Sequence, residues 1–256
     1  MSSTSLATPS RRMLAPPPPL DLGASALFAD LDGTLAPIRP TPGDVGPDRA
    51  RARLLARLSR ALGGRLAVVS GRGLDDLDRV LGGGVTAVAA AHGLVRRAAD
   101  GALVAEQASL PKEAREAFLA LGRSNPALLL EDKGPAIALH FRAAPEAGPA
   151  CEAAAQRLAD RYGLGLQKGR MVVELRAPGP TKADAVASFM AEPPFTGARP
   201  VFLGDDLTDE DGFAAAQALG GFGVLVGQRR PTAARYALVD VDAALAWLEQ
   251  ALEPQQ

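Results

Sequence analysis

Short apolar, β-rich runs recur along this chain with helical stretches between them, and polar, chemistry-bearing residues follow several of the runs directly. Residues 26–29, 65–69, 86–90 and 200–203 have the length and composition of buried strands. Residues 48–62 and 75–81 carry apolar side chains at helical spacing. Parallel strands need a crossover, usually a helix, so the alternation predicts an α/β fold built on a parallel, Rossmann-like sheet. Such sheets bind ligands beyond the carboxyl ends of their strands, where the polar segments stand.

The middle of the chain has a different pattern. Residues 96–104 read as two strands around Asp100-Gly101, a hairpin signal. A helix (111–123), two strands (127–131 and 136–142), another helix (145–162) and a further strand or pair (164–176) follow. Strands adjacent in sequence with no helix between them predict an antiparallel sheet. The expected organisation is a core of residues 23–94 and 179–256, interrupted by an α+β insertion over 95–178. Gly93 and Pro178-Gly179-Pro180 are its expected linkers. Residues 1–22 are polar and then Pro-rich, with Pro16 to Pro19 in a row, and are expected to be a disordered lead-in.

Composition narrows the chemistry. With 28 basic and 29 acidic residues, the chain has no general attraction to nucleic acid or anionic membrane, so anion selectivity must be local. No apolar run reaches the length of a membrane span, and the first thirteen residues lack the apolar stretch of a signal peptide. Cys151 is the only cysteine, which excludes an intrachain disulfide framework and a cysteine-rich metal site; a reducing, cytoplasmic setting is expected.

Four polar segments carry the chemistry. In Asp30-Leu31-Asp32-Gly33-Thr34, two carboxylates two residues apart point the same way at the end of a strand, and Gly33 permits a sharp exit. By itself, such a tripeptide is more often a solvated turn. Val69-Ser70-Gly71-Arg72 ends the next strand with a hydroxyl and backbone N–H groups that suit a phosphate and with Arg72 nearby for substrate or structural pairing, although Ser70 or Asp75 also suits a helix cap with Arg72 solvated. Thr181-Lys182-Ala183-Asp184 resembles a capping box, yet a lysine in the first turn opposes the helix dipole unless an anion lies nearby. Gly204-Asp205-Asp206-Leu207-Thr208-Asp209-Glu210-Asp211 concentrates five carboxylates. Thr208 and the acids after it suit a helix start; Asp205 and Asp206 come too early for that. Carboxylates brought beside Asp30 repel it unless a hard cation sits among them, and oxygen ligands without a cysteine or histidine cluster favour Mg2+.

In this order and placement the four segments resemble the haloacid dehalogenase superfamily. Leu35-Ala36-Pro37-Ile38, Ala91-His92-Gly93, Leu130-Glu131-Asp132-Lys133-Gly134, Val172-Val173-Glu174-Leu175-Arg176 and the stretch 204–213 resemble the trehalose-6-phosphate phosphatases within it. Ala91 stands where members often carry Glu. The resemblance spans about residues 24–250 and implies hydrolysis of trehalose 6-phosphate through an aspartyl-phosphate. Asp30 is then the nucleophile and Asp32 the general acid and base. Ser70 and Lys182 hold the phosphoryl group. Asp30, the Asp32 carbonyl, Asp205 and, through water, Asp209 hold Mg2+. The insertion corresponds to the family's cap, with Glu131, Lys133 and Glu174 on the distal glucose and Arg72 near the substrate. His92 and His140 read equally as structural histidines. The implied partner is a small sugar phosphate, with a trehalose-6-phosphate synthase as pathway neighbour. The alternatives are another capped sugar phosphatase, such as a sucrose-phosphate phosphatase, and a non-catalytic sugar-phosphate sensor.

Overall fold

The computed structural model describes residues 14–105, 109–169 and 171–253. The core opens with β1 (Ser25–Ala29), α1 (Arg49–Ala61), β2 (Leu66–Val69), α2 (Leu74–Leu81) and β3 (Ala87–Ala90), then β4 (Val95–Arg97) and β5 (Leu103–Ala105). A second unit follows: α3 (Lys112–Arg123), β6 (Leu129–Asp132), β7 (Ala136–His140), α4 (Gly148–Tyr162), β8 (Gly165–Gly169) and β9 (Val172–Arg176). The chain returns to the core through α5 (Lys182–Met190), β10 (Arg199–Gly204), α6 (Glu210–Ala218), β11 (Phe222–Val226), β12 (Tyr236–Leu238) and α7 (Val241–Gln250).

The core sheet has eight strands in the order β12-β11-β10-β1-β2-β3-β4-β5, parallel from β12 to β3. Its strands are apolar on both faces because both faces are covered. Leu27 and Ala29 pack towards Leu54, Leu55 and Leu58 of α1 and Leu248 of α7. Ala26 and Phe28 turn the other way, to Val186 and Phe189 of α5 and Phe213 of α6. Phe28 stacks on Phe195 at 5.5 Å between ring centroids, and Phe189 lies 5.2 Å from Phe195.

The second unit is a four-stranded antiparallel sheet in the order β6-β7-β9-β8. One face packs Ile137, Leu139, Val173 and Leu175 against Phe118 of α3 and Cys151 and Ala155 of α4. The other face carries polar residues and, among the described residues, no helix, which leaves it to cover the core.

Two expectations require correction. The hairpin at 95–105 does not belong to the insertion: β4 pairs antiparallel with β3, with Ala90 opposite Val95, and extends the core sheet. The cause is local, since Ala91, His92 and Gly93 all have positive φ and turn the chain straight back on β3. The chain therefore leaves the core after Ala105 rather than at Gly93. The lead-in is also ordered from residue 14. Leu20 is buried in the core; Pro18 accepts a hydrogen bond from Trp247 Nε1 (3.0 Å), and Leu22 accepts one from Arg65 Nη2 (2.8 Å). Apolar anchors among the prolines, and the fixed φ of proline itself, lower the ordering cost that a polar tail would face. Residues 1–13 lie outside the described residues.

Leu20→Ala should therefore lower stability by about 2–5 kcal/mol, as for a buried leucine, whereas a disordered lead-in predicts no change. Urea denaturation of the two proteins distinguishes these outcomes.

Candidate active site

The carboxyl ends of adjacent strands deliver the acidic and phosphate-type residues to one place. Asp30 follows β1 directly and its N–H donates to Leu203 of β10 (2.9 Å), and Ser70 follows β2 directly and its N–H donates to Ala89 of β3 (2.8 Å). Gly33 has φ +82 and closes the turn after β1, donating to Ala36 (2.7 Å). A Cβ at position 33 would lie 2.1 Å from Asp205 Oδ2, so the approach of β1 and β10 requires glycine there.

Lys182 is the first residue of α5, behind the capping box that the sequence predicts between Thr181 and Asp184. Its Nζ lies 3.1 Å from Asp30 Oδ1 and 2.6 Å from Asp209 Oδ1, with the side chain 3% exposed. These anions resolve the conflict with the helix dipole. Asp209 is wholly buried, and its Oδ2 accepts from the N–H groups of Asp205 (2.9 Å) and Asp206 (3.0 Å). It thereby fixes both the lysine and the loop after β10. Asp206, not Thr208, caps the short 3-10 turn Leu207–Asp209 that precedes α6, accepting from Leu207 N–H at 2.6 Å. Its early place in the sequence is explained by that extra turn.

Asp30, Asp205 and Asp209 offer oxygens all within 4.8 Å of one another. Burial pushes the Asp30 carboxyl up to about 7, with Lys182 opposing and Asp209 and Asp32 reinforcing the rise. Burial, then Asp30, Asp209 and Asp206, pushes Asp205 up to about 8. Burial works against the charge of Lys182, but Asp209 and Asp30 hold it well above the ordinary lysine range. Among the described residues, buried Asp205 Oδ1 has no hydrogen-bond partner. Three carboxylates against one lysine leave two negative charges, so the cluster fits a hard divalent cation in charge and in donor type.

Arg72 is engaged with carboxylates. Its guanidinium binds Asp32 through two hydrogen bonds (Nε to Oδ2, 2.6 Å; Nη2 to Oδ1, 2.7 Å), donates to the Pro42 carbonyl (3.0 Å) and pairs with Asp76. With only 4% exposure it clamps the second carboxylate of the motif, and its remaining reach towards a ligand is small.

The bare face of the second sheet covers this cluster. Register places Glu131 opposite Ala138, Ala138 opposite Glu174 and Gln167 opposite Glu174, so these residues form one row across four strands. Lys133 Nζ pairs with Glu174 Oε2 at 2.6 Å, and Glu131 Oε2 with His140 Nε2 at 2.9 Å. Burial raises Glu131, yet His140 and Lys133 leave it below the usual carboxylate range; burial lowers Lys133, yet Glu174 and Glu131 leave it raised. Asp30, Ser70 and Lys182 line the same cavity of about 230 Å³ as Glu131, Lys133 and Glu174. Sequence reasoning missed Gln167, His140 and Arg142 in its wall. Strand alternation from Ala138 reaches His140, whereas Gln167 is found only through the pairing of β8 with β9.

A mostly parallel sheet with acidic residues at its carboxyl ends, under an inserted antiparallel sheet, defines a capped hydrolase of the haloacid dehalogenase type. The trehalose-phosphatase family model matches residues 28–242. The chain is 39% identical to the trehalose-6-phosphate phosphatase of Escherichia coli over 227 residues, 88% of this chain and 85% of that one. Its fold matches the C-terminal domain of the Candida albicans trehalose-6-phosphate phosphatase with TM-score 0.76 at 24% identity, over 88% of this chain and 91% of that one. A trehalose-6-phosphate phosphatase related protein gives TM-score 0.74, also at 24% identity, over 88% and 96%. The chain belongs to the trehalose-phosphatase family.

Protons that Asp30 and Asp205 keep in the folded protein are released in the unfolded chain above the ordinary carboxylate range. Their stabilisation is full at low pH and is lost as pH rises through the raised values of about 7 and about 8. The thermal midpoint of metal-free protein should therefore gain a downward component between about pH 5 and about pH 8.5, which Asp205→Asn or saturating divalent cation reduces. Thermal melts with chelator and with added cation measure it; an unchanged slope in the variant would refute the assignment.

Proposed function

We propose that the chain hydrolyses trehalose 6-phosphate to trehalose and phosphate through a phosphoryl group carried transiently on Asp30, with Mg2+ as its cation. The observation that supports this best is the shared cavity, in which a buried Asp30 faces the Glu131, Lys133 and Glu174 side of the cap.

Asp30 attacks the phosphorus and becomes an acyl-phosphate while the bond to the sugar oxygen breaks. Asp32 donates a proton to that oxygen, then takes one from the water that cleaves the acyl-phosphate. Arg72 holds both oxygens of Asp32 in the resting site, so Asp32 reaches the leaving oxygen by turning out of that clamp. Ser70 Oγ and Lys182 Nζ bind the phosphoryl oxygens, and Asp209 keeps the lysine aimed at Asp30. Asp30, the Asp32 carbonyl and Asp205 would hold Mg2+, with Asp209 acting indirectly because its oxygens are engaged. When bound, the cation neutralises the charge that otherwise keeps an anionic nucleophile from an anionic ester. Glu131, Lys133 and Glu174 grip hydroxyls of the sugar distant from the phosphate, while the cap excludes water from the intermediate.

The working domain division follows the sheets. The core comprises residues up to Ala105 and from 179 onward, and the cap the segment between them. Family membership implies a sugar-phosphate substrate, and a synthase that forms this ester is the natural upstream neighbour. Among the described residues no helix is long and apolar enough to cross a membrane; a cytoplasmic setting suits a chain with a single cysteine.

Incubation with Mg2+ and a panel of sugar phosphates should show trehalose 6-phosphate turned over with the highest kcat/KM. Preference for another sugar phosphate would overturn the substrate and spare the mechanism. Asp30→Asn should reduce turnover by at least about 10³-fold with the circular dichroism spectrum unchanged; activity equal to the parent would refute covalent catalysis through Asp30.

A further inference from the structure

A buried histidine of the core touches the cap. His92 lies in the turn from β3 to β4, where Ala91 and His92 adopt positive φ (+47 and +59) without being glycine. Such backbone is unfavourable for an L-residue and persists where the surroundings enforce it, often at functional sites. The His92 N–H donates to the Ser70 carbonyl at 2.9 Å. Its ring presses on Gly71, where a Cβ would come within 2.5 Å of Nε2, so the ring's position also dictates glycine at 71.

From there the ring faces the cap. His92 Nε2 lies 3.0 Å from Gln167 Nε2 and 3.7 Å from Glu174 Oε1. Gln167 and Glu174 are direct cross-strand partners on β8 and β9. Among the described residues, His92 Nδ1 and Glu174 Oε1 are buried without a hydrogen-bond partner. Both residues line the cavity, and they are 7% and 4% exposed. Unpaired polar atoms this well buried are rare in native proteins, and a pair of them on one cavity wall suits a ligand that both donates and accepts. Burial, with Lys182, Lys133 and Arg176, holds His92 well below the ordinary histidine range. Gln167 Nε2 donates to His92 Nε2, so the neutral ring carries its proton on Nδ1; that N–H is the free donor and Glu174 Oε1 the free acceptor, together the complement of a hydroxyl group.

We infer that His92 and Gln167, together with Glu174 Oε1 at the border with the distal ring that Glu174 Oε2 and Lys133 face, form a hydroxyl-reading subsite for the phosphate-bearing sugar ring. The ring nearest the phosphate is assigned because His92 is bonded through its backbone to Ser70 and shares the cavity wall with Lys182. His92 and Gln167 are specificity-determining residues that reach across from core and cap, so a sugar with its hydroxyls correctly placed ties the two sheets together. The inference rests on the sugar-phosphatase reading of the site.

The test compares trehalose 6-phosphate with p-nitrophenyl phosphate, which lacks sugar hydroxyls, in Gln167→Ala and in His92→Asn; asparagine tolerates the left-handed backbone. The ratio of kcat/KM for the sugar ester to that for the aryl ester should fall at least about tenfold in each variant, mainly through KM, as expected for lost hydrogen bonds to substrate. A ratio within about twofold of the parent overturns the subsite, and so does an equal loss on both esters, which marks mere seating of the cap. If the parent itself prefers another sugar phosphate, the substrate reading fails and the same ratio, measured with that ester, still decides the subsite.

Discussion

The contact of Lys182 Nζ with both Asp30 and Asp209 is the interaction on which the site depends. Burying a lone carboxylate or a lone ammonium is costly, and this lysine joins two carboxylates while remaining almost fully enclosed. Asp209 passes the constraint on, because its second oxygen holds the backbone of Asp205 and Asp206 and so shapes the loop after β10. The lysine balances only part of the charge. The remaining excess raises the proton affinity of Asp30 and Asp205, and a divalent cation is the natural competitor for those protons. The same cluster therefore creates the buried environment of Asp30 and the demand for a metal.

The cap meets a different constraint. A sheet with helices on one face alone has a polar or apolar face left over. Here the helices α3 and α4 take the apolar residues, and the open face carries Glu131, Glu174 and Gln167 in register, with Lys133 just beyond β6. Antiparallel pairing makes this row rigid, so polar groups separated by dozens of residues converge on one cavity. Their mutual pairing, Lys133 with Glu174 and Glu131 with His140, satisfies most of the buried charge before any sugar arrives. What is left unsatisfied, at Glu174 Oε1 and His92 Nδ1, is the part suited to a ligand.

Much of this was legible in the chain. Alternating apolar runs gave the parallel sheet, because periodicity reports burial on one or both faces directly. The oddity of a lysine in a helix's first turn pointed to an anion, and the structure supplies two. Other features were hidden for identifiable reasons. The run of prolines looked too poor in apolar surface to order, yet Leu20 and Trp247 anchor it from opposite ends of the sequence. The hairpin at 95–105 carried a correct turn signal but no information about which sheet it joins, since edge pairing is non-local. Arg72 read as a residue for substrate or for structural pairing; Asp76 lies one helical turn from it, but only folding brings Asp32 to its guanidinium.

The sequence by itself determined most strands and helices as far as β10, the identity of the acidic and basic groups and their order at strand ends, because these follow from local periodicity, turn chemistry and motif spacing; β11, β12 and α7 were not read from it. The tertiary structure alone decided the distances. It joined Asp30 to Lys182 and Asp205 across the sheet, assigned β4 and β5 to the core, locked Asp32 on Arg72 and set His92 against Gln167. Those outcomes depend on register and on the packing of distant segments, and protonation of the buried carboxyls depends in turn on how far each lies from water and from the next charge.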